Sequence, residues 1–172
     1  MERRGHPSPS ERVGLPPSIA GCLFDLDGVL TPTATIHAEA WKRMFDGFLA
    51  ERADGGSFLP FDTGRDYEEF VDGRPRYDGV RAFLDSRGMR LPDGTPEDPP
   101  TAQTVCGLGN RKNELVVELI RRRGVGAYEG SRRYLEAAAG AGLRLAVVSS
   151  SANCKDVLRS ASIERFFHAV ID

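Results

Sequence analysis

Two carboxylates one residue apart, Asp25 and Asp27, stand where an apolar run stops, in the string Phe24-Asp25-Leu26-Asp27-Gly28-Val29-Leu30-Thr31. The run before them, Gly21-Cys22-Leu23-Phe24-Asp25, is short and bounded by a proline pair upstream and the Asp27-Gly28 turn signal downstream. That length and those flanks suit a buried parallel strand. Open α/β sheets bind ligands at the carboxyl ends of their strands. A carboxylate there can attack a phosphoryl group and carry it covalently. A second carboxylate two residues on can protonate the leaving oxygen and later activate the incoming one. Gly28 allows the chain to turn sharply away. The plain alternative is an ordinary strand end followed by an Asp-x-Asp-Gly turn.

A second polar cluster, Ser149-Ser150-Ser151-Ala152-Asn153, follows another apolar run, Leu145-Ala146-Val147-Val148. Hydroxyls at a strand tip, with backbone N–H groups before the next helix, suit a phosphoryl oxygen; a helix cap is the bland reading. Between the two clusters, Thr33, His37 and Trp41 recur at intervals of four, which puts them on one helix face. Packing alone also accounts for His37. In Val71-Asp72-Gly73-Arg74-Pro75-Arg76-Tyr77, Arg76 offers a permanently charged fork for phosphate, or is a surface arginine. Gly109-Asn110-Arg111-Lys112-Asn113 offers Lys112 as a substrate ligand, with Asn110 as a helix N-cap in the plain reading. Arg121, Arg122 and Arg123 read as a solvated helix C-terminus that complements the dipole.

These residues need elements to place them. Apolar positions Ile36, Ala40, Trp41, Met44, Phe45 and Phe48 predict an amphipathic helix over 36–49. Short helical pieces follow at 67–71 and 80–87, the latter with Val80, Phe83 and Leu84 on one face. Residues 51–62 read as a loop, and the proline-rich stretch 91–101 as irregular. A helix from about Asn110 to Arg123 carries Leu115, Val116, Leu119 and Ile120 as its stripe. Then come a helix at 131–141, a buried strand at 143–148, a helix at 156–161 and a short strand at 168–171. The alternation is α/β, with right-handed crossovers.

The string from Asp25 to Thr31 resembles the first motif of the haloacid dehalogenase superfamily, and the remaining segments narrow the resemblance to its β-phosphoglucomutase-like branch. It covers residues 19–172. It implies a Rossmann-like parallel sheet, incomplete here, built from residues 18–32 and 126–172, with a helical cap inserted at 33–125. By resemblance, Asp25 is nucleophile and Mg²⁺ ligand, while Asp27 is the general acid/base and lends Mg²⁺ its backbone carbonyl. Ser149 meets the transferring phosphate, and Ser151 and Asn153 the substrate's other phosphate. The mutase pattern has Lys where this chain has Ala152. His37 holds the general acid in its working position, Thr33 belongs to the same hinge, and Arg76 and Lys112 reach the substrate from the cap. The implied reaction is phosphoryl transfer on a small sugar phosphate through an Asp25 phosphoenzyme, with cap closure excluding water. The alternatives are a sugar-phosphate phosphatase, or a non-catalytic module or gene fragment associated with trehalose-type disaccharide metabolism.

The family's third and fourth motifs, a charge-compensating Lys and an acidic pair for Mg²⁺, are expected after residue 172. Residues 1–172 alone are therefore expected to be inactive or nearly so, with a missing C-terminal half or a fused carbohydrate-processing domain as partner. A further expectation is that the first strand becomes an exposed apolar edge. A net charge of −2 argues against nucleic acid or anionic membrane as partner. No apolar run approaches the ~20 residues of a span. Cys22, Cys106 and Cys154 show neither disulfide nor zinc spacing, which suits reduced thiols in a cytoplasmic protein. Residues 1–17, rich in Pro, Ser, Arg and Gly, read as a disordered arm. Only three ammonium groups exist, on Lys42, Lys112 and Lys155, among 23 basic residues.

Overall fold

A computed structural model describes residues 8–53 and 55–172. Three short strands, β1 (Gly21–Phe24), β2 (Arg144–Val148) and β3 (Ala169–Ile171), pair in parallel in the order β1-β2-β3. The central β2 buries Leu145 and Val147 completely. β1 lies at the edge, and its Leu23 is 75% exposed. The strand is thus an exposed apolar edge and not the buried strand its composition alone suggested. Gly21 faces Arg144 across the ladder, and a Cβ there would lie 2.5 Å from the Arg144 carbonyl oxygen. Glycine therefore permits the close approach of the two backbones.

The chain divides into two units. The first comprises residues 1–33 and 125–172 and holds the sheet, with helices α4 (Glu129–Gly140) and α5 (Cys154–Ser160). Leu135, Ala138, Val157, Leu158 and Ile163 are fully buried in it. Of the arm expected to be disordered, residues 1–7 lie outside the described residues. Within 8–17 the chain instead forms a 3-10 turn, Glu11–Val13, closed by left-handed Gly14 and by a Leu15 N–H bond to the Ser10 carbonyl. Ser10 is fully buried there.

The second unit, residues 34–124, is helical. It contains most of α1 (Thr33–Arg52), a π-helical turn (Tyr67–Val71), α2 (Arg76–Ser86) and α3 (Val105–Arg123). Its core is aromatic. Phe45 stacks on Trp41 and Phe61 at 5.3 Å each, and its ring centroid lies 4.0 Å from that of Phe83. The stripe expected on the first helix is buried at each of its positions, from Ile36 to Phe48. Aromatic pairs of this kind add about 0.5–1.5 kcal/mol each beyond simple burial. The following loop is tied back to α1, because Lys42 donates to the Phe61 carbonyl and Asp46 accepts the Phe61 N–H. The nearly buried Asp66 pairs with Arg87 at 2.7 Å.

α3 begins five residues earlier than its apolar stripe predicts. Thr104, not Asn110, is the N-cap, and its hydroxyl oxygen accepts the Gly107 N–H at 2.9 Å. Gly107 and Gly109 hide this first turn from propensity reasoning, since each glycine disfavours helix by about 1 kcal/mol. Contacts elsewhere in the unit override that preference. A Cβ on Gly107 would sit 2.3 Å from the Ala102 carbonyl oxygen, and one on Gly109 would sit 2.6 Å from the Tyr77 ring. Gly107→Ala should therefore destabilise the protein by about 1–3 kcal/mol, as overpacking does, although alanine is the better helix former. Thermal or urea unfolding of the variant measures this, and a stabilised variant would contradict the packing argument.

Candidate active site

Parallel pairing puts the carboxyl ends of all three strands at one edge of the sheet. Phe24 pairs with Val147 and Val148 with Ile171, so Asp25, Ser149 and Asp172 follow their strands at neighbouring positions. The Ser149 N–H bonds the Ile171 carbonyl at 2.9 Å, extending the ladder to the serine. Asp25 is exposed, with one carboxylate oxygen accepting the Leu26 N–H at 2.7 Å. The next turn is tightly closed. Leu30 and Thr31 donate their N–H groups to the Leu26 carbonyl, Gly28 (φ 79°) donates to the Thr31 carbonyl, and Ser131 Oγ donates to the Val29 carbonyl at 2.7 Å.

That turn delivers two buried hydroxyls to Asp27. Thr33 Oγ1 donates to Asp27 Oδ1, and Thr31 Oγ1 lies 2.7 Å from Thr33 Oγ1. Both threonines are fully buried. The two carboxylates of the Asp-x-Asp pair therefore have different surroundings: one at an open strand tip, the other half-buried and held by a hydroxyl. On the second strand, Ser149 Oγ accepts the Ser151 N–H at 3.1 Å and Ser151 Oγ accepts the Asn153 N–H at 3.3 Å. These bonds fold the polar turn ahead of α5. They also leave the two hydroxyl protons available for other acceptors. The buried Cys154 thiol has its pKa pushed up to about 11, first by burial and then by the negative charge of Asp172, Asp27 and Asp25, with Lys155 opposing. Lys155 pairs with Asp172 at 3.2 Å.

The remaining expected residues lie in the helical unit. Lys112 Nζ is 2.8 Å from His37 Nδ1 and 4.8 Å from the centroid of the Trp41 ring. An ammonium has only protons to offer, so Nδ1 accepts and the His37 ring is the neutral Nε2–H tautomer. Burial, and secondarily the Lys112 charge, depress the His37 pKa to about 3. Arg76 opens α2, with its guanidinium over the Tyr77 ring at 5.1 Å. Tyr77 donates to Asn110 Oδ1 at 3.0 Å, and Asn110 Nδ2 donates to the carbonyls of Pro96 and Asp98. Asn110 therefore braces the proline-rich segment and does not cap the helix. Thr31 stands in the Asp25–Thr31 string without a signal of its own beyond its hydroxyl, and the surroundings of Cys154 and Asp172 are encoded by no local pattern.

Sheet, insert and site together define a class. The family described as "Hydrolase: haloacid dehalogenase-like hydrolase" matches residues 19–172, and this chain belongs to it. Within the family it falls in the β-phosphoglucomutase-like branch. It is 54% identical over 173 residues to a protein of Mycobacterium tuberculosis (strain CDC 1551 / Oshkosh) named beta-phosphoglucomutase, covering 99% of this chain and 66% of that one. The chain thus spans just under two thirds of that relative's length. It is also 32% identical over 166 residues to an uncharacterized glycosyl hydrolase of the same organism, covering 92% of this chain but 12% of that protein. Among solved structures, the β-phosphoglucomutase of Clostridium difficile superposes with a TM-score of 0.70 at 23% identity, over 90% of this chain and 61% of the other, a likeness in fold. Among the described residues no helix is long and apolar enough to cross a membrane.

A depressed histidine pKa makes stability pH-dependent in a definite direction. The unfolded chain protonates His37 near 6.5 and the folded one near 3. The contribution is therefore complete above 6.5 and is lost as the pH falls toward 3. NMR titration of the ring should give a midpoint of about 3. In Lys112→Met it should rise yet stay below the ordinary value, because burial is the larger cause. An unshifted ring in the parent protein would contradict the packing described.

Proposed function

We propose that this chain carries the nucleophile and the general acid/base of a phosphoryl transfer on a small phosphorylated sugar. The carrying observation is the unequal pair at the carboxyl end of β1: Asp25 exposed, Asp27 held by Thr33. Two carboxylates in contrasting environments are what an acid and a nucleophile require. An Asp25 oxygen attacks phosphorus, the bond from phosphorus to the sugar oxygen breaks, and Asp27 gives its proton to the departing oxygen. In the second half Asp27 takes a proton from the acceptor, which attacks phosphorus and releases Asp25. Ser149 donates its hydroxyl to a phosphoryl oxygen. Ser151 and Asn153, with Arg76 and Lys112 in the helical unit, are assigned to the rest of the substrate, and His37 to the general acid. Free Cys22, Cys106 and Cys154 support a reducing, cytoplasmic setting.

Among the described residues no cluster of three or more His, Cys, Asp or Glu side chains could hold a metal by itself. Mg²⁺ still fits the residues present, since it keeps several waters and is commonly held by one or two carboxylates plus substrate phosphate. The Asp25 carboxylate and the Asp27 backbone carbonyl are its proposed ligands. When bound, the ion supplies positive charge against the phosphoryl oxygens.

A specific departure favours a second reading, simple phosphatase: Ala152 stands where the mutase pattern has a lysine, between Ser151 and Asn153. The glycosyl hydrolase relative supports a third, in which such a segment serves inside a much longer carbohydrate-processing protein. Incubating the protein translated through its full reading frame with a sugar phosphate and measuring its mass should show one added phosphoryl group, which Asp25→Asn abolishes; residues 1–172 alone should take up little or none. No adduct under any trapping condition would sink the reading. With β-glucose 1-phosphate, glucose 6-phosphate as product marks a mutase, and inorganic phosphate without it marks a phosphatase.

A further inference from the structure

The hydroxyl of Thr31 is fully buried, makes its shortest bond to another hydroxyl, and has no part in the reaction as described so far. Each hydroxyl has one proton and two lone pairs. Thr33 spends its proton on Asp27 Oδ1. At the 2.7 Å contact between the two threonines, Thr33 must therefore accept and Thr31 must donate. The other acceptor near Thr31 Oγ1 is the Leu26 carbonyl, at 3.3 Å. That carbonyl already takes the N–H groups of Leu30 and Thr31, at 3.0 and 3.1 Å. Distance and occupancy both direct the Thr31 proton to Thr33.

We propose that Thr31 is a positioning residue for the general acid: its hydroxyl fixes the Thr33 rotor so that the Thr33 proton points at Asp27. The inference rests on the assignment of Asp27 as acid/base. The backbone bonds from Gly28, Leu30 and Thr31 hold main chain, and Ser131 and Tyr128 anchor the carbonyls of Val29 and Leu30. Without the Thr31 donor, the Thr33 hydroxyl loses the second bond that anchors its rotor and polarises its O–H toward Asp27. A general acid held less firmly loses part of the 10²–10⁴-fold it contributes.

Leaving groups separate positioning from mere folding. A sugar alkoxide must be protonated as it departs, so its transfer to Asp25 depends on Asp27. Acetate leaves acetyl phosphate as a stable anion and needs no such help. Phosphorylation of Asp25 in the intact protein is followed by mass, with β-glucose 1-phosphate and acetyl phosphate as the two donors. In Thr31→Val the ratio of the sugar-phosphate rate to the acetyl-phosphate rate should fall by about tenfold or more. Thr31→Ser, which keeps the hydroxyl, should restore it. Thermal unfolding of both variants checks that they fold. A ratio that stays constant in Thr31→Val, whether both rates fall together or neither does, overturns the inference while leaving the Asp25 assignment standing. A parent protein that neither donor labels overturns that assignment and this inference with it.

Discussion

Parallel pairing of β1 with β2 and of β2 with β3 is the constraint from which the candidate site follows. Parallel strands end on the same side, so whatever polar residue follows each strand is set beside the others at the inter-strand spacing of about 4.8 Å. Asp25, Ser149 and Asp172 are distant in sequence and adjacent for this reason alone. Glycine at position 21 admits the register in which it pairs with Arg144. A slip of one residue would turn Leu145 and Val147 out of the core, and it would separate the aspartate from the serine turn.

In the helical unit a different force does the placing. Trp41 belongs at once to the aromatic core, stacked on Phe45, and to the polar pair, under the Lys112 ammonium. Burying a lysine costs several kcal/mol unless its charge is compensated. Part of the compensation comes from the face of an indole and from a neutral imidazole, which accepts one ammonium proton.

Most of the elements were legible because burial imposes periodicity. The stripe on α1 and the alternation in β2 are direct consequences of a helix and a strand each having one dry face. The Asp-x-Asp-Gly string was legible as a strand end followed by a tight turn, which β1 and the bonds to the Leu26 carbonyl form. Three features escaped for physical reasons. Asn110 looked like a cap because the true cap, Thr104, is followed by Gly107 and Gly109, whose helical state depends on Ala102 and Tyr77. The pairing of Lys112 with His37 spans 75 residues, and no local pattern encodes it. Thr31 reads as a strand former, and only the structure shows its hydroxyl turned toward Thr33.

The glycines of α3 also bear on the order in which the second unit assembles. From Asn110 to Arg123 the helix is rich in Leu, Glu and Arg, good formers that sample helix transiently in a disordered chain. Its first turn has no such head start. In the folded unit Ala102 and Tyr77 fill the space that two missing side chains leave, so its closure is expected to wait for them. The C-terminal part of α3 can thus nucleate early, whereas the turn bearing Gly107 and Gly109 forms together with the docking of α2. Arg76, at the start of α2, and Lys112, one turn beyond Gly109, are then brought into register by a late, cooperative step. The groups proposed for recognition on two helices are then ordered in the same event.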